Sequence, residues 1–244
     1  MQKILTLYTW FGTPRVESAS IIGIYLISYL NFLKIPHELK LMPIVTKNKI
    51  KQEHDALPIF NINGQFLGPD RALPMLERSV EGLSPRMSTE FTDFEILTLH
   101  QWSLKELTQS YFYFMFGVKD NLDKLQDYLN SNVNSSNHVK LDNYSSFVEE
   151  VISLTHPWKR DYSEHLNHII QILSALETRL KENTFLTGDK PAHCDISTFA
   201  GIHALFNPII SEFTNIEKRF PAIINWAHQV DSLTAGPNVR RFSK

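Results

Sequence analysis

Leu57-Pro58-Ile59-Phe60-Asn61-Ile62-Asn63-Gly64-Gln65-Phe66-Leu67 is the stretch on which the fold turns. Two short apolar runs, 59–62 and 65–67, flank Asn63-Gly64, and Asn-Gly is the pair that most readily takes the two positive φ angles of a two-residue hairpin turn. A β-hairpin opened by a proline is therefore expected. Working upstream, residues 4–10 read as a strand and residues 21–32 as a buried helix, which Pro36 stops. Residues 37–42 alternate as a second strand, and 46–56 are polar and weakly helical at most. Downstream, a short helix runs from about Asp70 to Arg78. The order is β-α-β, a weak helix, a hairpin and a helix.

Near residues 80–88 the pattern changes at Gly82, Ser84 and Pro85, a turn-rich linker, and the chain beyond residue 88 is helical in period. A long helix is expected over 89–116, with Phe91, Phe94, Trp102, Tyr111, Phe112 and Met115 forming an apolar face for the core. Residues 119–137 lose that amphipathy and end in an Asn/Ser cluster, so a loop is expected there. Further helices are expected at about 142–154, 161–182, 194–206 and 216–232.

Three segments together resemble the glutathione S-transferases. The first is Leu57-Pro58 ahead of the hairpin, similar to that family's apolar residue and proline before a strand. There the proline follows a cis peptide bond, exposing the preceding backbone to pair with the cysteinyl part of glutathione. The second is Thr187-Gly188-Asp189-Lys190-Pro191-Ala192-His193-Cys194-Asp195, similar to the family's Gly-Asp-x-Pro segment, in which a hydroxyl residue and an aspartate three on cap the core helix. Ala192 stands at the hydroxyl position, so Asp195 is left as the structural cap, weaker by about 1 kcal/mol. The third is Phe220-Pro221 opening a late helix. The resemblance implies an α/β thioredoxin-like N-terminal domain over 1–80, with a mixed four-stranded sheet, and an all-helical C-terminal domain over 88–244. Within the superfamily, Tyr8-Thr9-Trp10, Gly12, Pro14, Glu17 and Ser20, with the later run 102–116, resemble the metaxin and failed-axon-connections branch.

By that resemblance the chain uses or conjugates glutathione, as co-substrate, with a small hydrophobic electrophile. The chemistry needs a donor beside the thiol to hold a thiolate. Tyr8, ending the first strand, and Ser18 or Ser20, before the first helix, are the hydroxyl candidates, with Arg15 adding positive charge. Each has a second reading, Tyr8 as a packing residue and a serine as a helix cap. Leu57 and Pro58 would hold the tripeptide backbone. At the γ-glutamyl end the family carries Glu-Ser or Gln-Ser, whereas this chain has Pro69 and Asp70. Asp70 is expected to cap the helix but to repel the ligand's carboxylate, and Arg71 to compensate by pairing with it. The alternative function is a non-catalytic, metaxin-like interaction module with a degenerate glutathione site.

Composition narrows the remaining classes. The chain has 244 residues, 24 basic and 26 acidic side chains and a net charge of -2, which provides no electrostatic footprint for nucleic acid. Its one cysteine, Cys194, leaves neither an intramolecular disulfide nor a multi-cysteine zinc site. No metal is expected; Glu164, His165 and His168 share a helix but lack an identifiable further ligand. His193, Cys194 and Asp195 are adjacent, yet they lie in the capping segment, so Cys194 is expected to be buried and inert. The apolar run 21–33 is shorter than the roughly 20 residues a membrane span needs, and no secretory signal opens the sequence. A cytoplasmic protein is expected, with homodimerisation possible.

Overall fold

The Asn63-Gly64 turn takes φ angles of 55° and 90°, and the Asn61 side chain accepts a hydrogen bond from the Gly64 N–H at 2.8 Å. That turn joins β3 (Ile59–Ile62) to β4 (Gln65–Leu67), with Ile62 opposite Gln65. The structure, a computed structural model, describes residues 5–13, 15–42, 57–78, 92–132 and 161–236. The expected features at 46–56, at 142–154 and in the linker around Gly82 fall outside those residues, as do Phe91 and the 80–88 boundary.

β1 (Leu5–Trp10) lies inside the sheet, antiparallel to β3 and parallel to β2 (Glu38–Met42), in the order β2-β1-β3-β4. A parallel neighbour requires a crossover, and α1 (Ile21–Phe32) provides it. The helix is buried on nearly every side, as a helix apolar on most of its faces must be. It ends before Pro36 with Lys34 at a φ of 54°, where Ile35 N donates to the Leu30 carbonyl. After β4 comes α2 (Pro69–Glu77), which keeps Pro74 inside it.

The helical half begins with α3 (Asp93–Phe112), capped reciprocally by Thr92 and Glu95. The continuous helix expected to residue 116 instead widens into a π turn, Tyr113–Gly117. The Asn121 side chain donates to the Phe114 carbonyl there at 2.9 Å, satisfying a backbone group of the wider turn. Of the expected apolar face, Tyr111 and Met115 are fully buried, but Phe94 is 76% exposed and does not belong to the core. The loop expected from residue 119 is also corrected, because α4 (Lys119–Asn132) is a helix. Its apolar stripe is narrow, resting on Leu125 and Leu129, with Asn121 as a polar anchor that also bonds Glu212 at 2.7 Å.

α5 (Tyr162–Glu182), α6 (His193–Leu205) and α7 (Pro221–Leu233) complete the helical half. α6 is the central helix, packed against α1, α3 and α7. Ser103 of α3 and Thr198 of α6 share a hydrogen bond of 2.6 Å at the crossing. Asp195 caps α6 from inside. One carboxylate oxygen accepts from the Ala192 N–H at 2.9 Å, and the other from the Leu186 N–H at 2.8 Å and the Trp226 indole at 2.9 Å. α7 opens with Pro221 and lacks a cap of its own. Glu177 of α5 accepts from its Ala222 and Ile223 N–H groups instead, at 3.2 and 3.0 Å. Among the described residues no helix is long and apolar enough to cross a membrane.

Replacing Asp195 by Ala strands three donors, two of them backbone groups, in a buried site, and an unsatisfied buried group costs about 1–3 kcal/mol. Asp195→Ala is therefore expected to lower unfolding free energy by about 3 kcal/mol in urea titrations. Trp226→Phe, which removes one of the three donors, should cost less.

Candidate functional site

The segment from Phe11 to Ser20 joins β1 to α1 and folds on itself. Ala19 N donates to the Phe11 carbonyl at 2.6 Å and Thr13 N to the Val16 carbonyl at 3.0 Å. Ser20 is the N-cap of α1, accepting from the Gly23 N–H at 3.3 Å. Ser18 is fully buried. Its hydroxyl shares a 2.9 Å hydrogen bond with Thr9 and accepts from the Ser20 N–H at 3.1 Å. A Cβ on Gly23 would stand 2.2 Å from the Thr9 hydroxyl and 2.6 Å from that of Ser18. This glycine is what lets α1 settle onto β1, and the two hydroxyls fill the contact.

Side chains alternate across a strand, so with Thr9 turned toward α1, Tyr8 projects from the other face of the sheet. There its ring lies 5.8 Å from that of Phe66, and Lys40 Nζ sits 5.7 Å from its centroid. The two expected hydroxyl candidates therefore occupy opposite faces. Ser18 is spent on the α1 contact, whereas Tyr8 stays partly exposed.

Tyr8 faces Ile59 across the β1–β3 pairing, which brings it to the residue that follows Pro58. The Leu57–Pro58 bond is cis. Pro58 is buried and Leu57 half-buried. The start of α2 differs from expectation. Its N-cap is Gly68, without a side-chain cap bond, Pro69 is the first helical residue, and Asp70 lies within the first turn instead of capping it. Asp70 and Arg71 are both exposed. An acidic residue in a first turn is favoured by the helix dipole. Arg15 stands apart from this group. It is half-buried beside His203 of α6. The fold thus brings Tyr8, Leu57 and Pro58 together, sets Asp70 and Arg71 on the helix after β4, and directs Arg15 to the helical half.

Sequence reading passed over several residues in this neighbourhood. Asn207, just past α6, hydrogen-bonds the Thr13 hydroxyl, with both side chains buried, and so ties the β1–α1 segment to the helical half. Tyr25 and Tyr29 of α1 meet His100 and His193 from α3 and α6. Two tyrosines four apart on an otherwise aliphatic helix were a visible signal. His100 is far away in sequence and had none, and His193 was noticed only beside Cys194 and Asp195.

The remaining constellations disperse. Glu164 caps α5 with Asp161, His165 stacks on Tyr113 at 3.7 Å between centroids, and His168 pairs with Glu106 at 3.1 Å. Among the described residues no group of three or more His, Cys, Asp or Glu is placed to hold a metal ion. Cys194 is fully buried. Burial, with the Asp195 charge adding to it, pushes its thiol far up, away from the thiolate a nucleophile needs.

Gly23→Ala should destabilise the protein by about 1–3 kcal/mol, the usual cost of overpacking. Thr9→Ala in the same background should recover part of that loss in thermal melts. No recovery would mean that the hydroxyl contact does not set the helix position.

A family model described as nuclear-export cofactor Arc1p matches residues 158–234. Comparison with curated proteins by sequence finds no match. Solved structures resemble nearly the whole chain. The β-etherase LigF of Sphingobium sp. strain SYK-6 is 17% identical with a TM-score of 0.57, over 96% of each chain. A glutathione S-transferase of Rhodospirillum rubrum is 12% identical with a TM-score of 0.58, over 98% of this chain and 91% of its own. A glutathione transferase of Phanerochaete chrysosporium, solved with oxidized glutathione, is 15% identical with a TM-score of 0.57, over 98% of this chain and 92% of its own. The chain has the glutathione S-transferase fold, a thioredoxin-like sheet unit followed by a helical one.

Proposed function

We propose that the protein binds glutathione at the sheet end where Tyr8 meets Leu57 and Pro58, and uses or conjugates it with a small hydrophobic electrophile in the cytoplasm. On this reading residues 1–80 form the glutathione-binding domain and 88–244 the helical domain that faces the electrophile. The observation that carries it is the β1–β3 register, in which a partly exposed phenol stands opposite the residue after Pro58. Glutathione's extended backbone would pair with the chain at Leu57, and Tyr8 would donate to the thiolate. Ser18, enclosed with Thr9, takes no part in the chemistry. Asp70 weakens the γ-glutamyl end and Arg71 offsets it.

A second reading is a non-catalytic interaction module of the metaxin kind with a degenerate ligand site. It draws on the match of residues 158–234 to the Arc1p family, on the enclosure of Ser18, and on Pro69 and Asp70 at the γ-glutamyl end.

Calorimetry with reduced glutathione at millimolar concentration separates the two. Binding heat with folded protein supports the first reading, and its absence leaves the second. Where heat is seen, Asp70→Ser should tighten the dissociation constant several-fold by removing like charge. Tyr8→Phe should leave that constant within about twofold and lower kcat for a model electrophile about a hundredfold, the loss typical of one removed anion-stabilising donor. A tyrosine that merely packs would leave kcat unchanged.

A further inference from the structure

Three histidines from the helical half lie along its seam with the sheet-bearing half. His100 of α3 and His193, the first residue of α6, stack with ring centroids 4.2 Å apart and planes 14° from parallel. Tyr25 and Tyr29 of α1 close over them. The Tyr25 hydroxyl is hydrogen-bonded to His193 Nε2, its ring lies 5.1 Å from that of His100, and the Tyr29 ring lies 4.6 Å from that of His193. Tyr29 donates onward to Glu77 of α2 at 2.7 Å. At the other end of α6, His203 is 2% exposed and sits beside Arg15 of the β1–α1 segment.

These contacts suit neutral imidazoles. Burial raises the Tyr25 phenol well above its ordinary range, so the hydroxyl keeps its proton and a neutral His193 Nε2 can accept a hydrogen bond from it. A protonated His193 keeps that bond only by reversing it, with Nε2–H donating to the phenol oxygen. It would also place a cation at the positive end of the α6 dipole, against the His100 ring. His100 is buried, and its Nδ1 has no hydrogen-bond partner among the described residues.

The charged groups on the elements packed at the seam include two buried carboxylates, Glu17 of the β1–α1 segment and Asp231 of α7, neither of which hydrogen-bonds His100 or His193. Glu77 is engaged by Tyr29, and the carboxylate of Asp195 on α6 is turned to Leu186, Ala192 and Trp226. Arg15 brings a further positive charge to His203. No carboxylate hydrogen-bonds His100 or His193 among the described residues.

We propose that this seam is an acid-sensitive latch, held closed near neutral pH by three uncharged imidazoles and opened between α1 and α6 when they take up protons. Opening the seam is enough to hydrate all three rings, so neither half has to unfold for the protons to bind.

The direction follows from the environments. Burial holds His100 down at about 4, and burial together with the neighbouring His100 holds His193 at about 3. Burial also holds His203 at about 4, with the Arg15 backbone acting upward and its guanidinium downward. Each imidazole, once hydrated, titrates near its ordinary 6.5. The closed form therefore carries fewer protons than the open one below that pH, and closure weakens as pH falls from about 6.5 toward 4. Each proton contributes up to about tenfold per pH unit to the opening equilibrium, and three contribute up to about a thousandfold. Asp195 works the other way in global unfolding only. Burial raises it to about 6, so between about pH 6 and its ordinary value near 4 the folded state holds the extra proton, yet opening the seam leaves that carboxylate enclosed.

Hydrogen–deuterium exchange of the full chain at pH 7, 6 and 5, corrected for intrinsic rates, tests the latch. Peptides from α1 and the N-terminal end of α6 should lose protection on acidification while α5 and α7 keep theirs. His193→Gln, which retains an acceptor for Tyr25, combined with His100→Phe, should remove about two of the three protons from the pH dependence. Uniform loss of protection across both halves would overturn the proposal, as would an unchanged pH dependence in the double variant. Should that variant not fold, histidine ring shifts of the unaltered protein decide. Values below about 5 for His100 and His193 support the latch, and values near 6.5 overturn it.

Discussion

A single buried carboxylate organises the helical half. Asp195 gathers a backbone N–H at the start of its own helix, another from the preceding segment at Leu186, and the indole of Trp226 from α7. The start of α6, the segment just before it and the distant α7 are thereby aimed at one point. The arrangement has a cost. Burial lifts the carboxyl to about 6 even with these donors acting in the opposite direction, so at neutral pH the charge is retained because the hydrogen bonds nearly offset its lost hydration. Ala192 offers no hydroxyl to complete a reciprocal cap, which leaves the capping of α6 to Asp195. Since α6 touches α1, α3 and α7, the placement of most other elements depends on that entry.

A second constraint is the closeness of α1 to β1. Gly23 removes the Cβ that would collide with Thr9 and Ser18, and the two hydroxyls bond to each other in the gap. Burying polar groups in a tight contact is favourable only when they satisfy one another, so Ser18 is committed to packing. A hydroxyl that looks reactive from its place before a helix is thus consumed by the architecture. The neighbouring strand position, Tyr8, escapes this because alternation turns it to the other face. The sheet end is therefore constrained from two sides, by the α1 contact and by the segment that Asn207 ties to the helical half.

Much of the frame was legible in advance, for local reasons. The hairpin at Asn63-Gly64 was readable because few other pairs accept two positive φ angles, and α1 because an apolar run of helical length stops ahead of a proline. Failures came where a local signal was diluted or outweighed. α4 carries only a thin apolar stripe, and its buried anchor is an asparagine that apolar periodicity ignores. The π turn at Tyr113–Gly117 leaves the apolar pattern intact while changing the hydrogen-bond spacing. Phe94 lies in the aromatic period of α3 yet is its second residue, in the first turn, and stays exposed.

By itself the sequence determined the order of the strands and of most helices, the hairpin turn, the cap at Asp195, and the absence of cysteine from the β1–α1 segment. Each follows from residues close in the chain, where side-chain shape and periodicity act directly on the backbone. The tertiary structure alone decided which face of the sheet each hydroxyl occupies, that Arg15 lies beside His203, that Glu177 caps α7 from another helix, and that His100 and His193 stack under Tyr25. These depend on pairings between residues far apart in the chain, and a side chain's role in them is set by what the fold brings against it.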